Sequence, residues 1–172
     1  MKDGNLFQRA DLWIRHLLPV GMTLILVLVG AVPSHLPGFA TVAPMLPLIG
    51  IYYWGIYRPD LLPASVAFMI GVINDIIAGM PLGVTPLIYL LVQGMTASQR
   101  RFFLGKPFLV SWWCFALVAA GAILVEWALV SMIFDHMLDL SAVFFEFLLT
   151  VFSYPLLGWL FARTQLSLMR RA

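Results

Sequence analysis

The ten lysines and arginines of this chain fall into four groups, set before the first of six apolar runs and after the second, fourth and sixth. Lys2, Arg9 and Arg15 precede the first run, Arg58 lies between the second and third, Arg100, Arg101 and Lys106 between the fourth and fifth, and Arg163, Arg170 and Arg171 follow the last. The other connections carry no basic residue. Lys and Arg in short loops are held on the cytoplasmic side of a membrane. The pattern therefore predicts six crossings, both termini inside, and turns near His35, Met80 and His136 outside.

Composition agrees. The chain is 62% hydrophobic and 10% charged, against about half and about a quarter for soluble domains. Spans of ~20 residues use most of the 172 residues, so residues 1–172 are expected to form a single six-helix integral membrane domain with short cytoplasmic tails. Backbone groups in hydrocarbon need internal partners, which favours helices, and the run lengths do not fit the alternating strands of a barrel. The expected fold class is all-α and polytopic. The net charge of +2 is dispersed at helix ends, where topology explains it, and no nucleic-acid partner is expected. Cys114 is alone, which excludes a disulfide framework.

The expected spans are Leu17 to Val32, Phe39 to Tyr57, Leu61 to Ile77, Leu82 to Met95, Phe108 to Phe134 and Leu140 to Ala162. The basic start followed by an apolar run resembles a secretory signal, but five further runs in charge register make a retained first span the expectation. Leu12, Trp13, Ile14, Leu17 and Leu18 alternate with Arg9, Asp11, Arg15 and His16, as either an interfacial amphipathic lead-in or the first turns of a long helix. Tyr52, Tyr53, Trp54 and Tyr57 before Arg58, Trp112 and Trp113 after Lys106, and Trp159 before Arg163 are placed as an interfacial aromatic belt. Pro44 and Pro47 are expected to kink the second span and Pro86 to interrupt the fourth.

Helical spacing puts Ala64, Ala67, Gly71, Asn74, Asp75 and Ala78 on one face of the third span, with Ala67 and Gly71 a small-xxx-small pair that admits close approach of another helix. Comparable stripes are Thr85, Tyr89 and Gln93; Ala116, Ala119, Ile123 and Glu126; and Ala142, Glu146, Thr150 and Ser153. Three carboxylates are thereby embedded in the outer half, Asp75 about 5 Å and Glu126 and Glu146 about 10–12 Å from the outer interface by helical rise. Each costs about 2.5–3.5 kcal/mol if charged at the bilayer centre, so each must face protein or water. Two readings follow: an ion relay or outward pocket lined by Asp75, Glu126 and Glu146, or polar groups that join neighbouring helices. The second is preferred, because no intramembrane Lys or Arg pairs with the acids.

Enzymatic readings find no support. G-x-S-x-G, H-E-x-x-H and phosphate-cradling glycine loops are missing from the sequence, and His16, His35 and His136 are too scattered to ligate one metal. No catalytic residue, cofactor site or metal site is expected, and the protein is read as not an enzyme.

Two stretches carry a family likeness: Pro47-Leu-Ile-Gly-Ile-Tyr-Tyr-Trp-Gly-Ile-Tyr-Arg-Pro-Asp60, and Ala67-Phe-Met-Ile-Gly-Val-Ile-Asn-Asp-Ile-Ile-Ala-Gly-Met-Pro-Leu-Gly83. An aromatic span ending in Arg58-Pro59, then Phe68, Gly71 and Asp75 leading into Gly79, Pro81, Leu82 and Gly83, resembles the rod shape-determining MreD family. The resemblance implies a multi-pass scaffold of the bacterial inner membrane that serves cell elongation. Its implied partner is the bitopic protein MreC and, through it, MreB and the elongation peptidoglycan synthases; it implies no catalytic residue. A compact helix block would meet partners and membrane lipid through its sides and short loops. Arg58, Pro59 and the Arg100 to Lys106 loop offer cytoplasmic contacts, and Asp75 either anchors the Gly79 to Gly83 turn or binds a partner. The family is also similar in size and helix count to the substrate-binding subunits of energy-coupling-factor vitamin transporters. That gives a second function, a small-molecule binding module with an outward pocket near Asp75, Glu126 and Glu146.

Overall fold

The structure is a computed structural model that describes residues 18–31, 43–103, 105–134 and 140–169, with side chains as far as residue 164 except at 103. Within these residues the chain forms α1 (Leu18–Gly30), α2 (Leu46–Tyr57), α3 (Ala64–Ala78), α4 (Val84–Ser98), the single turn α5 (Arg100–Phe103), α6 (Phe108–Phe134) and α7 (Leu140–Met169). The lead-in at 12–17, the turns at His35 and His136, the start of the second expected span and the last tail residues lie outside the described residues.

Two helices, Phe108–Phe134 and the Leu140–Thr164 part of α7, are long and apolar enough to cross a membrane; α1, α3 and α4 are apolar but shorter. Each of the long pair turns one face to the core and leaves a broad apolar face outside it. Leu117, Met132 and Leu156 are 77%, 80% and 71% exposed, a hydrocarbon surface that only lipid or another apolar helix can cover.

The centre is α2. Every residue from Leu46 to Ile56 is buried, as expected of a helix that is hydrophobic all round. Two glycines let its neighbours close in. A Cβ on Gly50 would lie 2.8 Å from the Thr23 hydroxyl of α1, and Gly55 faces Thr96 of α4 with less room still. Both hydroxyls are satisfied within their own helices, Thr23 on the Pro19 carbonyl and Thr96 on Val92 and Gln93.

α2 is shorter than expected. Pro44 precedes the helix and Pro47 occupies its first turn, where a missing N–H costs nothing, so the two prolines delimit the start instead of kinking a longer span. Pro86 likewise sits in the first turn of α4 and interrupts nothing. The proline that does lie inside a helix is Pro155 of α7. Its missing N–H leaves the Val151 carbonyl without its helical donor, and the indole N–H of Trp112 on α6 donates to that oxygen at 3.0 Å.

The aromatic belt divides. Trp113 and Trp159 are exposed as a belt requires, but Tyr52, Tyr53 and Trp54 are interior. Tyr52 meets Phe115 and Tyr154 edge-on at 5.1 and 5.9 Å, and Phe115 stacks on Tyr154 at 4.5 Å. The Tyr52 hydroxyl donates to the Ser111 carbonyl, while the Ser111 and Tyr154 hydroxyls pair at 3.0 Å. These links fasten α2 to α6 and α7.

Candidate functional site

The turn between α3 and α4 is organised by one side chain. Asp75, fully buried, accepts the Gly83 N–H on Oδ2 at 2.8 Å and the Thr85 N–H on Oδ1 at 3.3 Å. Its main-chain carbonyl accepts the N–H groups of Gly79 and Met80. Asp75 therefore closes the end of its own helix and caps the start of the next, where a negative charge meets the positive pole of the helix dipole. Gly79 (φ 67°) and Gly83 (φ 107°) hold left-handed backbone that side chains with a Cβ disfavour. Pro81 accepts the Val84 N–H within the turn, and Leu82 projects from its tip, 71% exposed.

One turn below, α3 and α4 meet backbone to backbone. A Cβ on Gly71 would stand 2.5 Å from Cα and 2.6 Å from N of Pro86, and Ala67 beside it is fully buried. Of the face expected on α3, Ala67, Gly71 and Asp75 are buried while Ala64 and Ala78 are exposed.

The second polar region is a cavity of about 310 Å³ between α1, the start of α2, α3, α6 and α7; Asn74, Met80, Trp127, Glu126 and Glu146 are among its lining residues. Glu126 is buried, and its Oε2 has no hydrogen-bond partner among the described residues. The hydroxyl of the fully buried Tyr89 is likewise without a partner among the described residues. Glu126 and Glu146 share the cavity, but Asp75 does not line it: it is turned to the α4 amides. Asn74 lines it instead.

Arg58 and Pro59 lie apart, at the end of α2. Arg58 is exposed, its N–H closes the helix on Trp54, and its carbonyl accepts the Leu61 N–H. Gln93 of α4 steadies this turn through the Leu62 carbonyl. Lys106 lies 5.4 Å from the Phe102 ring and Arg163 5.3 Å from that of Trp159, cation–π contacts of interfacial type. A separate apolar groove of about 380 Å³ runs between α4, α5 and α6, lined by Leu91, Met95, Leu117, Gly121 and Val125 among others. Sequence spacing did not point to this groove, to Trp127 or to the Trp112–Val151 bond; for the last, the signal available was Pro155 in a long apolar run.

Fold and sites together define a membrane protein that is helical throughout its described elements, with several polar side chains joining its helices and a hollow where Glu126 stays unpartnered among the described residues. Residues 12–166 match the sequence model of the rod shape-determining protein MreD; the chain belongs to the MreD family. An uncharacterized protein of Rickettsia prowazekii (strain Madrid E) is 25% identical over 115 residues, a match covering 66% of this chain and 65% of that relative. The matched segment thus falls just short of two thirds of the relative's length. No solved structure matches.

Proposed function

We propose that this chain is a multi-pass scaffold of the bacterial inner membrane, crossing it six times with both termini in the cytoplasm. It acts by assembly and not by turnover. Its partner is the transmembrane helix of an MreC-like bitopic protein, and through it the chain serves MreB and the peptidoglycan synthases of elongation. The observation that carries this reading is the match to the MreD family over residues 12–166. Physical support comes from the outward apolar faces of α6 and α7 and from the groove beside Gly121. A Cβ on Gly121 would meet nothing within 4 Å, so its bare backbone is open to the close helix approach that drives association in lipid.

Asp75→Ala tests it. The expected outcome is loss of rod shape or of MreC recovery with membrane insertion intact; normal rods with undiminished recovery would remove Asp75 from the role. Cysteine labelling tests the topology: a label at position 104 that reacts from the periplasm would overturn it.

The cavity supports a second reading, a vitamin-type substrate-binding subunit of a transporter. Native mass spectrometry separates the two. A scaffold carries lipid or partner protein, whereas a carrier retains a stoichiometric small molecule.

A further inference from the structure

The cavity at Glu126 and Glu146 presents an electrostatic demand that the described chain does not meet. Glu126 Oε2 is buried with no partner among the described residues, and Glu146 lines the same space. No lysine or arginine occurs in the sequence between Arg15 and Arg58, between Arg58 and Arg100, or between Lys106 and Arg163, so the helix segments around the cavity hold no strong base. Helix starts are the other ordinary source of positive potential: α7 presents Ala142 and Val143 of its first turn to the cavity, and α2 opens on it at Pro44, Met45 and Pro47. The first donors of α2 are already committed: Met45 N–H to the Thr150 hydroxyl, Leu46 N–H to the Pro44 carbonyl and Leu48 N–H to the Met45 carbonyl, while Pro47 has none.

We propose that this cavity binds an organic cation, an ammonium or guanidinium group on an apolar stem, with Glu126 and Glu146 holding the charge. Size and lining select this class. The volume of about 310 Å³ is about ten times that of a water molecule, too large for a bare metal ion and at the lower end of small-molecule sites. Among the described residues, no three His, Cys, Asp or Glu side chains gather as a metal site. Pro44, Pro47, Ile123 and Val130 supply an apolar wall, and Trp127 an aromatic one. A charged head against two acids and a hydrocarbon stem against the rest satisfies both parts of the surface. The cation comes either from a free amine or from a Lys or Arg side chain of a partner helix.

The test is equilibrium dialysis of radiolabelled n-butylammonium against the full chain in nanodiscs, with empty nanodiscs as blank and labelled 1-butanol as the neutral probe. The expected result is saturable binding of about one butylammonium per chain and none of butanol. Binding should fall at least tenfold in Glu126→Gln and in Glu146→Gln. Ala142→Leu, which adds bulk inside the cavity and removes no carboxylate, should also exclude the probe, and thermal melting of each variant controls for folding. Repeating the dialysis on the chain bound to its membrane partner identifies the source: exclusion of butylammonium assigns the cation to the partner's side chain, and retained binding assigns it to a free amine. No saturable binding to the wild-type chain, equal binding of butanol, or undiminished binding in both folded Gln variants overturns the proposal. Failure to bind butylammonium leaves the family match untouched, and the scaffold reading is tested separately, by rod shape and partner recovery.

Discussion

The α3–α4 hairpin and the α6–α7 cavity both contain buried carboxylates, yet they treat them in opposite ways. At the hairpin, both carboxylate oxygens of Asp75 receive a main-chain N–H. At the cavity, Glu126 keeps an oxygen with no partner among the described residues. Composition makes the three acids alike; what differs is whether a helix start lies within reach. Asp75 is eight residues from Gly83 across a tight turn, whereas the α2 start that opens on the cavity of Glu126 has its first amides occupied. A buried acid is structural where the fold supplies its donors and open to a visitor where it does not.

The contrast breaks most readily at Gly71. Gly71→Val would drive a branched side chain into the Pro86 backbone, and we expect a loss of about 3 kcal/mol or more, measured by reversible unfolding in mixed micelles; a melting curve like that of the wild type would mean that the two helices part easily. Asp75→Ala removes the acceptor of two amides and should cost about 1–2 kcal/mol, with Asp75→Asn recovering part because its carbonyl still accepts one bond. Gly83→Ala comes next, about 1 kcal/mol for imposing a Cβ on left-handed backbone. The smallest effect should be Glu126→Gln, within about 0.5 kcal/mol of wild type or slightly stabilising, because neutralising an unpartnered buried acid removes a cost and breaks no hydrogen bond seen here. If Glu126→Gln destabilised the fold as much as Asp75→Ala, the two regions would not differ in kind.

Much of this was legible in the sequence because polar residues in an apolar chain are few and their spacing is informative. The stripe Thr85, Tyr89 and Gln93 is buried, and the bounds of α6 coincide with the expected span. Asp75 followed by Gly79 and Gly83 already had the form of a capped turn. The interior was harder to read. In water, hydrophobicity marks what is inside; in lipid, the outside is equally apolar, so Tyr52 and Trp54 at the core and Trp113 at the surface look the same by composition. Pro44 and Pro47 mark a helix boundary as well as they mark a kink, and only the packed structure distinguishes the two. The division of labour between Asn74 and Asp75 was likewise hidden, since adjacent residues on one helix differ by about 100° in direction.

The brevity of α2 has a consequence for where a visitor could sit. Twelve residues give an axle of about 18 Å in a hydrocarbon slab of about 30 Å, so the hub of the molecule stops partway and leaves a chamber above its blunt end. Pro44 and Met45, the residues that a longer axle would take up first, line that chamber. Extending α2 by one turn through Pro44 should plug it while leaving the Asp75 clasp untouched.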